Sequence, residues 1–467
     1  MNNKKTLWQE QMTNGVSQLK NGNLKSATQW FKKATITDPS EESAWINICT
    51  VSLAINDLKT AEEAAKKAIH LNPKFPPTQL MLGDVYRMKN SPKDALTCYH
   101  KSVEIERTPI SLNKLGCAYR ENGDLENAIE LLNEAVHRAP KFTTAKVNLL
   151  TSYTIAGDFE SARKQEQLLK YIKLPKDELE LVDETSAMLS EHERLEENIR
   201  LANNENNRDY IDNIIASTPD KILKKDNFVL DTIQAMIDAI PEDHKTEIEK
   251  INLPDNWNYI ESLFMIPFIE TPSQLEECSK ITPTHERYDD YVESLAMIPA
   301  ITQARKDKSK LLNPISAESC LRFWHLLSVR ELDGFMPGHF KYCRNTLKND
   351  ITQPRSKPTE SCGTIRHFIE HLYPKIPNGV YRAAICLYLI IEVHPYIDGN
   401  GRVAMNWLNR ELEWNNEAPA LFTRENGLRG SLRTARIMAR KNPSDLRYFV
   451  EAIRKGQNNT INFCKNL

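Results

Sequence analysis

The sequence predicts an all-α protein with more than one domain, and three observations carry that prediction. A unit of about 34 residues recurs five times in the first third of the chain. The segment that follows is charge-rich and helical in period. Further on, the pattern of residues 381–412 indicates a buried helix, a tight loop and a second helix. The length of 467 residues allows two or three domains, at about 100 to 200 residues each.

The repeat is clearest in a set of alanines separated by 34, 34, 33 and 34 residues: Ala27, Ala61, Ala95, Ala128 and Ala162. Small residues precede most of them by twelve positions, and aromatic residues surround them, so that two helices can pack closely. Turn residues fall between the two helices of each unit at Asn56, Asn90, Gly123 and Gly157, and prolines end three units at Pro39, Pro73 and Pro140. The pattern resembles the tetratricopeptide repeat over residues 7–175. That resemblance implies a helical solenoid whose concave face holds a peptide or a protein partner.

The remaining two thirds of the chain divide near a cluster of helix-breaking residues. Residues 176–255 are predicted to form a helical connector, because they are polar and have helical periodicity. Pro254 to Asn258 marks a boundary, and the aromatic content rises directly after it. A second domain is therefore expected at 256–467, with a core at about 310–455.

Composition excludes several classes of protein. A formal net charge of −2, from 61 basic and 63 acidic residues, argues against a general nucleic-acid binder. The nine cysteines are scattered and form no CxxC pair, which argues against a disulfide framework and a structural zinc site. The longest apolar stretch, Ala383 to Val393, is too short to span a bilayer, so no membrane association is expected. No secretory signal is visible, so the expected location is the cytosol, either of the producing cell or of a host that receives the protein as an effector.

The residues that can support chemistry are concentrated in one loop, His394-Pro-Tyr-Ile-Asp-Gly-Asn-Gly-Arg402. Glycines at 399 and 401 let consecutive backbone N–H groups converge at a helix N-terminus, which favours phosphate. Arg402 adds a forked cation, and Asp398 offers a hard oxygen ligand to Mg2+. His394 is the only nearby side chain of a type that titrates around neutrality, so it can serve as a base.

This loop resembles the motif HxFx(D/E)GNGRxxR of the Fic family, with Tyr396 in place of the phenylalanine. Members of that family transfer AMP from ATP to a Ser, Thr or Tyr hydroxyl of a target protein, with Mg2+ as cofactor. The resemblance implies that the general base is His394, that the Mg2+ ligand is Asp398, and that the donor phosphates are held by Gly399, Asn400, Gly401 and Arg402. It also implies a buried Tyr396 that anchors the loop, and recruitment of the target by the repeats.

A second, shorter match lies upstream of the loop. Residues 334–341 resemble the segment that leads into the family's short β-hairpin flap, with Lys341 where arginine is common. The flap of the family pairs with the target's backbone. The resemblance covers about residues 256 to 455, rests mainly on the loop, and implies a helical Fic domain.

One position departs from the family's pattern. Its second arginine, three residues after the first, is Met405 here, and the inhibitory motif (S/T)xxxE(G/N) has no clean copy. In the family that arginine contacts the terminal phosphate of ATP and pairs with the inhibitory glutamate. We therefore expect either an enzyme without that intramolecular brake or one that holds a different donor, such as another nucleotide or a phosphocholine carrier. Arg410 could replace the missing arginine, although a solvated surface cation is the simpler interpretation.

The sequence is also compatible with other functions. The chain could be a repeat-based adaptor with a degenerate, non-catalytic Fic domain, or an enzyme that removes AMP, as some family members do. His367-Phe-Ile-Glu-His371 fits the HxxEH spelling of zinc peptidases, but a third ligand has no obvious candidate. His325, within an apolar run, is interpreted as a packed core residue. A row of five arginines could flank a nucleotide, but the favoured interpretation is the solvated face of a helix: Arg424, Arg429, Arg433, Arg436 and Arg440.

Overall fold

The structure is a computed structural model, and it describes residues 2–89, 91–201, 208–242, 251–265, 269, 271, 273–278, 280–329, 337–341, 356–423, 426–428 and 430–467. The chain divides into two compact units, one covering Met1–Val182 and the other covering Asp183–Asn345 with Arg355–Leu467. Throughout the described residues the regular structure is helical, with no strand. The all-α fold predicted from the sequence is therefore confirmed.

The first unit is a series of antiparallel helix pairs. The helices are α1 (Asn2–Lys20), α2 (Leu24–Thr37), α3 (Glu42–Ala54), α4 (Leu58–Leu71), α5 (Pro76–Met88), α6 (Pro92–Ile105), α7 (Pro109–Glu121), α8 (Leu125–Arg138), α9 (Thr143–Ala156) and α10 (Phe159–Leu169). All five repeat alanines are buried. A Cβ atom added to Gly83 would lie 2.5 Å from the ring of Tyr99, and one added to Gly116 would lie 2.9 Å from Leu132. The small residues therefore allow the close helix contact that the repeat pattern predicts.

The turns within the repeats also follow the sequence. Asn56, Gly123 and Gly157 all have positive φ angles, between 60° and 87°, while Asn90 lies outside the described residues. Such angles cost glycine little and asparagine less than most residues, so these types can end one helix and turn the chain into the next. The carboxylates of Asp57 and Asp124 then accept the N-terminal N–H groups of α4 and α8.

The described part of the predicted connector is mostly helical. Its helices are α11 (Lys176–Leu201), which contains the division between the two units, α12 (Arg208–Ala216) and α13 (Asn227–Asp238). The next described helix begins at Trp257, within the predicted boundary cluster Pro254 to Asn258. The domain limits at 175 and 255 remain predictions.

The rest of the second unit packs around a large apolar core and two smaller apolar clusters. Its helices are α14 (Trp257–Met265), α15 (Ser273–Cys278), α16 (Tyr288–Leu295), α17 (Met297–Lys306), α18 (Pro314–Val329), α19 (Pro358–His367), α20 (Val380–Val393), α21 (Asn400–Trp414), α22 (Ser431–Lys441) and α23 (Arg447–Lys465). Helix α20 is the buried helix expected before the loop, and it packs along α21. Trp324, Trp407 and Phe368 fill the space beside them with edge-to-face ring contacts. The loop between α20 and α21 is therefore mounted on two helices that are rigidly held.

Two further expectations concern the β-hairpin flap and the absence of a membrane-spanning helix. The predicted β-hairpin flap follows the segment 334–341, of which the structure describes residues 337–341, and residues 342–355 lie outside its described part. None of the helices that the structure describes combines the length and the apolar character that a membrane crossing requires.

Candidate active site

The loop between α20 and α21 begins with a strained residue. His394 follows the last residue of α20 in the left-handed conformation, with φ 51° and ψ 59°, and its side chain is half-buried. A non-glycine residue there costs about 1 to 3 kcal/mol and persists only where its surroundings hold it. The backbone around His394 is accordingly well anchored.

Part of the anchor is the segment 337–341. The buried Lys341 donates from Nζ to the carbonyl of Val393 (2.9 Å), and its backbone N–H donates to the carbonyl of Pro395 (2.6 Å). These two carbonyls flank His394 in the chain. Lys341 is thus a support of the loop, a role that the sequence match alone did not indicate.

Asn400 closes the loop on itself. Its amide oxygen accepts the N–H of Tyr396 (2.9 Å) and its amide nitrogen donates to the carbonyl of the same residue (2.9 Å). Both ends of this buried amide are therefore engaged with backbone. The side chain of Asn400 holds the loop shape, and the expected contribution of Asn400 to anion binding falls to its backbone N–H.

Tyr396 and His325 form the floor of the loop. Tyr396 is fully buried, as expected, and its ring stacks on His325 with centroids 3.9 Å apart. His325 Nδ1 accepts the N–H of Gly338 (3.0 Å), so Nε2 carries the proton and donates to the carbonyl of Asp398 (2.9 Å). Burial lowers the pKa of His325 to about 3, which keeps the ring neutral. His325 is a core residue, as interpreted from the sequence, but it also contacts the site.

The N-terminus of α21 forms the anion-binding side of the loop. Gly399 has φ 78° and caps the helix, whose first N–H groups have no intrahelical acceptor. A Cβ atom on Gly401 would lie 2.9 Å from Leu428, so only glycine fits there without movement. The helix dipole and these N–H groups favour a phosphate at this position.

Arg402 lies on the first turn of the same helix, and its side chain contacts both α18 and α16. One Nη atom donates to the carbonyl of Ser328 (2.8 Å), and the other forms an ion pair with Glu293 of α16. Burial lowers the pKa of Arg402 to about 10, which leaves the guanidinium charged at neutral pH. Glu293 was not among the candidate residues, because its surroundings do not spell the inhibitory motif and nothing local relates it to Arg402.

Asp398 is exposed beside this helix terminus. Its Oδ1 accepts the N–H of Gly399 (2.7 Å), which orients the carboxylate. No cluster of three or more potential metal-ligating side chains occurs among the described residues. Mg2+ is commonly held by one or two carboxylates together with substrate phosphates, so a single exposed Asp398 next to a phosphate site fits that metal.

Neither position 405, where the family has its second arginine, nor Arg410 supplies a second cation to the site. Met405 is 4% exposed and belongs to the apolar core. Arg410 is fully buried and donates to both carboxylate oxygens of Glu261 (2.6 and 2.8 Å). The interpretation of Arg410 as a surface cation was therefore wrong, because the neighbouring α14 supplies a buried partner that the local sequence does not reveal.

The arginine row needs a similar correction. Arg440 Nε donates to the buried Glu392 (2.6 Å), and Arg436, only 3% exposed, lies 3.7 Å from the same carboxylate. Only Arg433 is on the exposed side as expected, and residues 424 and 429 are outside the described part. Since Glu392 is two residues before His394, Arg436 and Arg440 of α22 brace the end of α20.

The zinc-peptidase alternative finds no support in the geometry. His367 ends α19 and His371 lies in a π-helical turn, Phe368–Leu372, with the two rings 4.4 Å apart. The side chains of Glu370 and His371 are exposed. The described residues place no third potential ligand with the two histidines, so the peptidase hypothesis gains no support from them.

Comparison with known proteins agrees with the two units. The Fic/DOC family matches residues 326–412, and the tetratricopeptide repeat matches residues 113–176. None of the curated proteins matches the chain.

Several solved structures resemble part of the chain. PilF of Pseudomonas aeruginosa is 16% identical, with 46% of this chain and 91% of PilF covered and a TM-score of 0.36. MamA from Desulfovibrio magneticus is 17% identical, with coverages of 35% and 94% and a TM-score of 0.32. A thermophilic TPR protein in Thermus thermophilus is 20% identical, with coverages of 36% and 93% and a TM-score of 0.32.

The two matched regions indicate what each part of the chain does. A Fic/DOC domain indicates transfer of a phosphate-containing group to a protein, and tetratricopeptide repeats indicate protein–protein interaction. The chain is thus a tetratricopeptide-repeat protein that carries a Fic/DOC domain.

Proposed function

We propose that the protein transfers AMP, or a related phosphate-containing group, from a nucleotide donor to a hydroxyl side chain of a target protein. The supporting observation is the loop His394–Arg402, in which a strained histidine, an exposed carboxylate, a helix N-terminus and an arginine occur within nine residues. The Fic/DOC match spans this loop. ATP is the proposed donor.

The donor phosphates would lie at the N-terminus of α21. The backbone N–H groups of Asn400 and Gly401 and the guanidinium of Arg402 supply positive potential there, while the N–H of Gly399 donates to the Asp398 carboxylate. Mg2+ bound by Asp398 would neutralise part of the phosphate charge. These groups favour the transition state because charge neutralisation and positioning are the main requirements of phosphoryl-type transfer.

His394 would act on the target hydroxyl. The hydroxyl oxygen attacks the α-phosphorus, and the bond from that phosphorus to the bridging oxygen of the β-phosphate breaks. The hydroxyl proton passes to His394, and pyrophosphate leaves with the bond electrons. Lys341 and the buried Tyr396 keep the loop in place during this step. The target would be recruited through the repeat array of the first unit.

The test is incubation of the full chain with α-labelled ATP, Mg2+ and a cell lysate that contains targets. His394→Ala should abolish labelling while ATP affinity changes less than about threefold, because the imidazole is needed for proton transfer rather than for phosphate binding. His371→Ala, which removes an exposed histidine of the same domain, should leave labelling unchanged. Labelling that persists in His394→Ala would refute the assigned base, and the mass added to the target would identify the group.

A second candidate function is that of an adaptor with an inactive Fic domain. Met405 in the core and the ion pair between Arg402 and Glu293 favour it, since both reduce the positive charge available to a donor. A chain that binds no nucleotide but still co-purifies with a partner would support the adaptor over the transferase.

A further inference from the structure

A hydrogen-bonded path connects the buried His325 of α18 to the exposed carboxylate of Asp398. His325 Nε2 donates to the Asp398 carbonyl (2.9 Å), and that carbonyl belongs to the peptide unit between Asp398 and Gly399. The N–H of the same peptide unit donates to the Asp398 carboxylate (2.7 Å). Three groups are therefore joined through one peptide plane.

The geometry of that plane makes the connection rigid. In a trans peptide the C=O and N–H point in opposite directions. When His325 holds the carbonyl towards the core, the N–H must point outwards, where it meets the Asp398 carboxylate. The direction of the exposed carboxylate is thus set by a side chain in the core.

His325 itself has little freedom to move. Its ring is 1% exposed, is stacked within 6° of parallel on Tyr396, and accepts the N–H of Gly338 at Nδ1. The loop backbone rests directly on the ring, because a Cβ atom on Gly399 would lie 2.9 Å from Nε2. Ring stacking, the bond from Gly338 and the loop backbone therefore hold the donating ring in place.

We infer that His325 is a positioning residue that orients the Asp398 carboxylate through the Asp398–Gly399 peptide unit. This inference rests on the proposed function for its consequence, which is the correct placement of the Mg2+ ligand. It concerns a residue outside the loop, and it makes the apolar run of α18 part of the site. Partners of this kind, one bond beyond the metal ligands, commonly change metal affinity by about 10- to 100-fold when they are removed.

Matched substitutions separate this role from simple packing. His325→Phe retains a ring to stack on Tyr396 but loses both hydrogen bonds. His325→Gln places an amide N–H near the position of Nε2 and can restore the bond to the Asp398 carbonyl. Thermal unfolding of each variant shows how much folded protein remains.

The first measurement is the Mg2+ concentration that gives half-maximal labelling of target at fixed ATP. His325→Phe should raise it about tenfold, and His325→Gln should restore most of the loss. A purely structural role would reduce the rate in proportion to the folded fraction and leave the Mg2+ requirement unchanged, and that result would overturn the inference.

The second measurement does not depend on activity. Hydrogen exchange of the peptide covering residues 394–403 should be faster in His325→Phe than in the wild type, and close to wild type in His325→Gln. Equal exchange in all three proteins would overturn the inference even if transfer is active. If the wild type labels no target and His325→Phe still exchanges faster than the wild type, the positioning role is supported and the proposed function is rejected.

Discussion

The ion pair between Arg402 and Glu293 predicts that removing the glutamate charge strengthens donor binding. Arg402 is the cation of the phosphate site, and in the structure its Nη2 atom is occupied by the carboxylate of α16. A phosphate can use that atom only after the carboxylate has moved away. Glu293→Gln keeps the shape of the side chain but removes its charge, so the competition should weaken.

The size of the effect follows from the exposure of the two side chains. Arg402 is 9% exposed and Glu293 is 36% exposed. A hydrogen bond to a charged group contributes about 1.5 to 3 kcal/mol when buried, and solvent around Glu293 reduces that to about 1 to 2 kcal/mol. At 1.4 kcal/mol per tenfold, donor affinity should rise about 5- to 30-fold.

Calorimetric titration with ATP and Mg2+ measures this change directly, and target labelling at low ATP should rise in parallel. Asp289→Asn is the matched control, since it removes the same charge from an exposed position of the same helix. If Glu293→Gln binds ATP no better than Asp289→Asn does, Glu293 does not compete with the donor. Weaker binding would mean that Glu293 holds Arg402 in its working orientation instead.

Two further predictions concern the stability of the second unit. Arg410→Met leaves the fully buried Glu261 with the amide of Asn409 (2.8 Å) and a 3.4 Å contact to Arg305, and should lower the free energy of unfolding by about 3 kcal/mol in urea, whereas Arg433→Met at an exposed position should change it little. Burial raises the pKa of Glu411 above its value of about 4.3 in an unfolded chain. The protonated carboxyl therefore contributes fully to the free energy of unfolding below pH about 4.3, and that contribution is lost as the pH rises through the pKa of the folded state. Glu411→Gln should reduce the fall in melting temperature between the unfolded and folded pKa values of Glu411. An unchanged dependence of melting temperature on pH would contradict the raised pKa.

The local features of this protein could be predicted from the sequence because they depend on neighbours in the chain. The alanine spacing and the turn residues specified the repeat helices, since helix packing and positive φ angles are set within about 34 residues. The loop was identified in the same way, because its glycines, His394 and Arg402 lie within nine consecutive residues. The buried state of Tyr396 was also expected correctly.

Long-range contacts were inaccessible to the same reasoning. Arg402 meets Glu293 and His325 meets Asp398 only when distant helices pack together, and no spacing rule relates such positions. Arg410 is the clearest case: its place on the amphipathic pattern of α21 indicated solvent, whereas the structure buries it against Glu261. A charged side chain can be buried only where another element supplies its counter-charge, and that supply is a property of the packed domain, not of the adjacent chain.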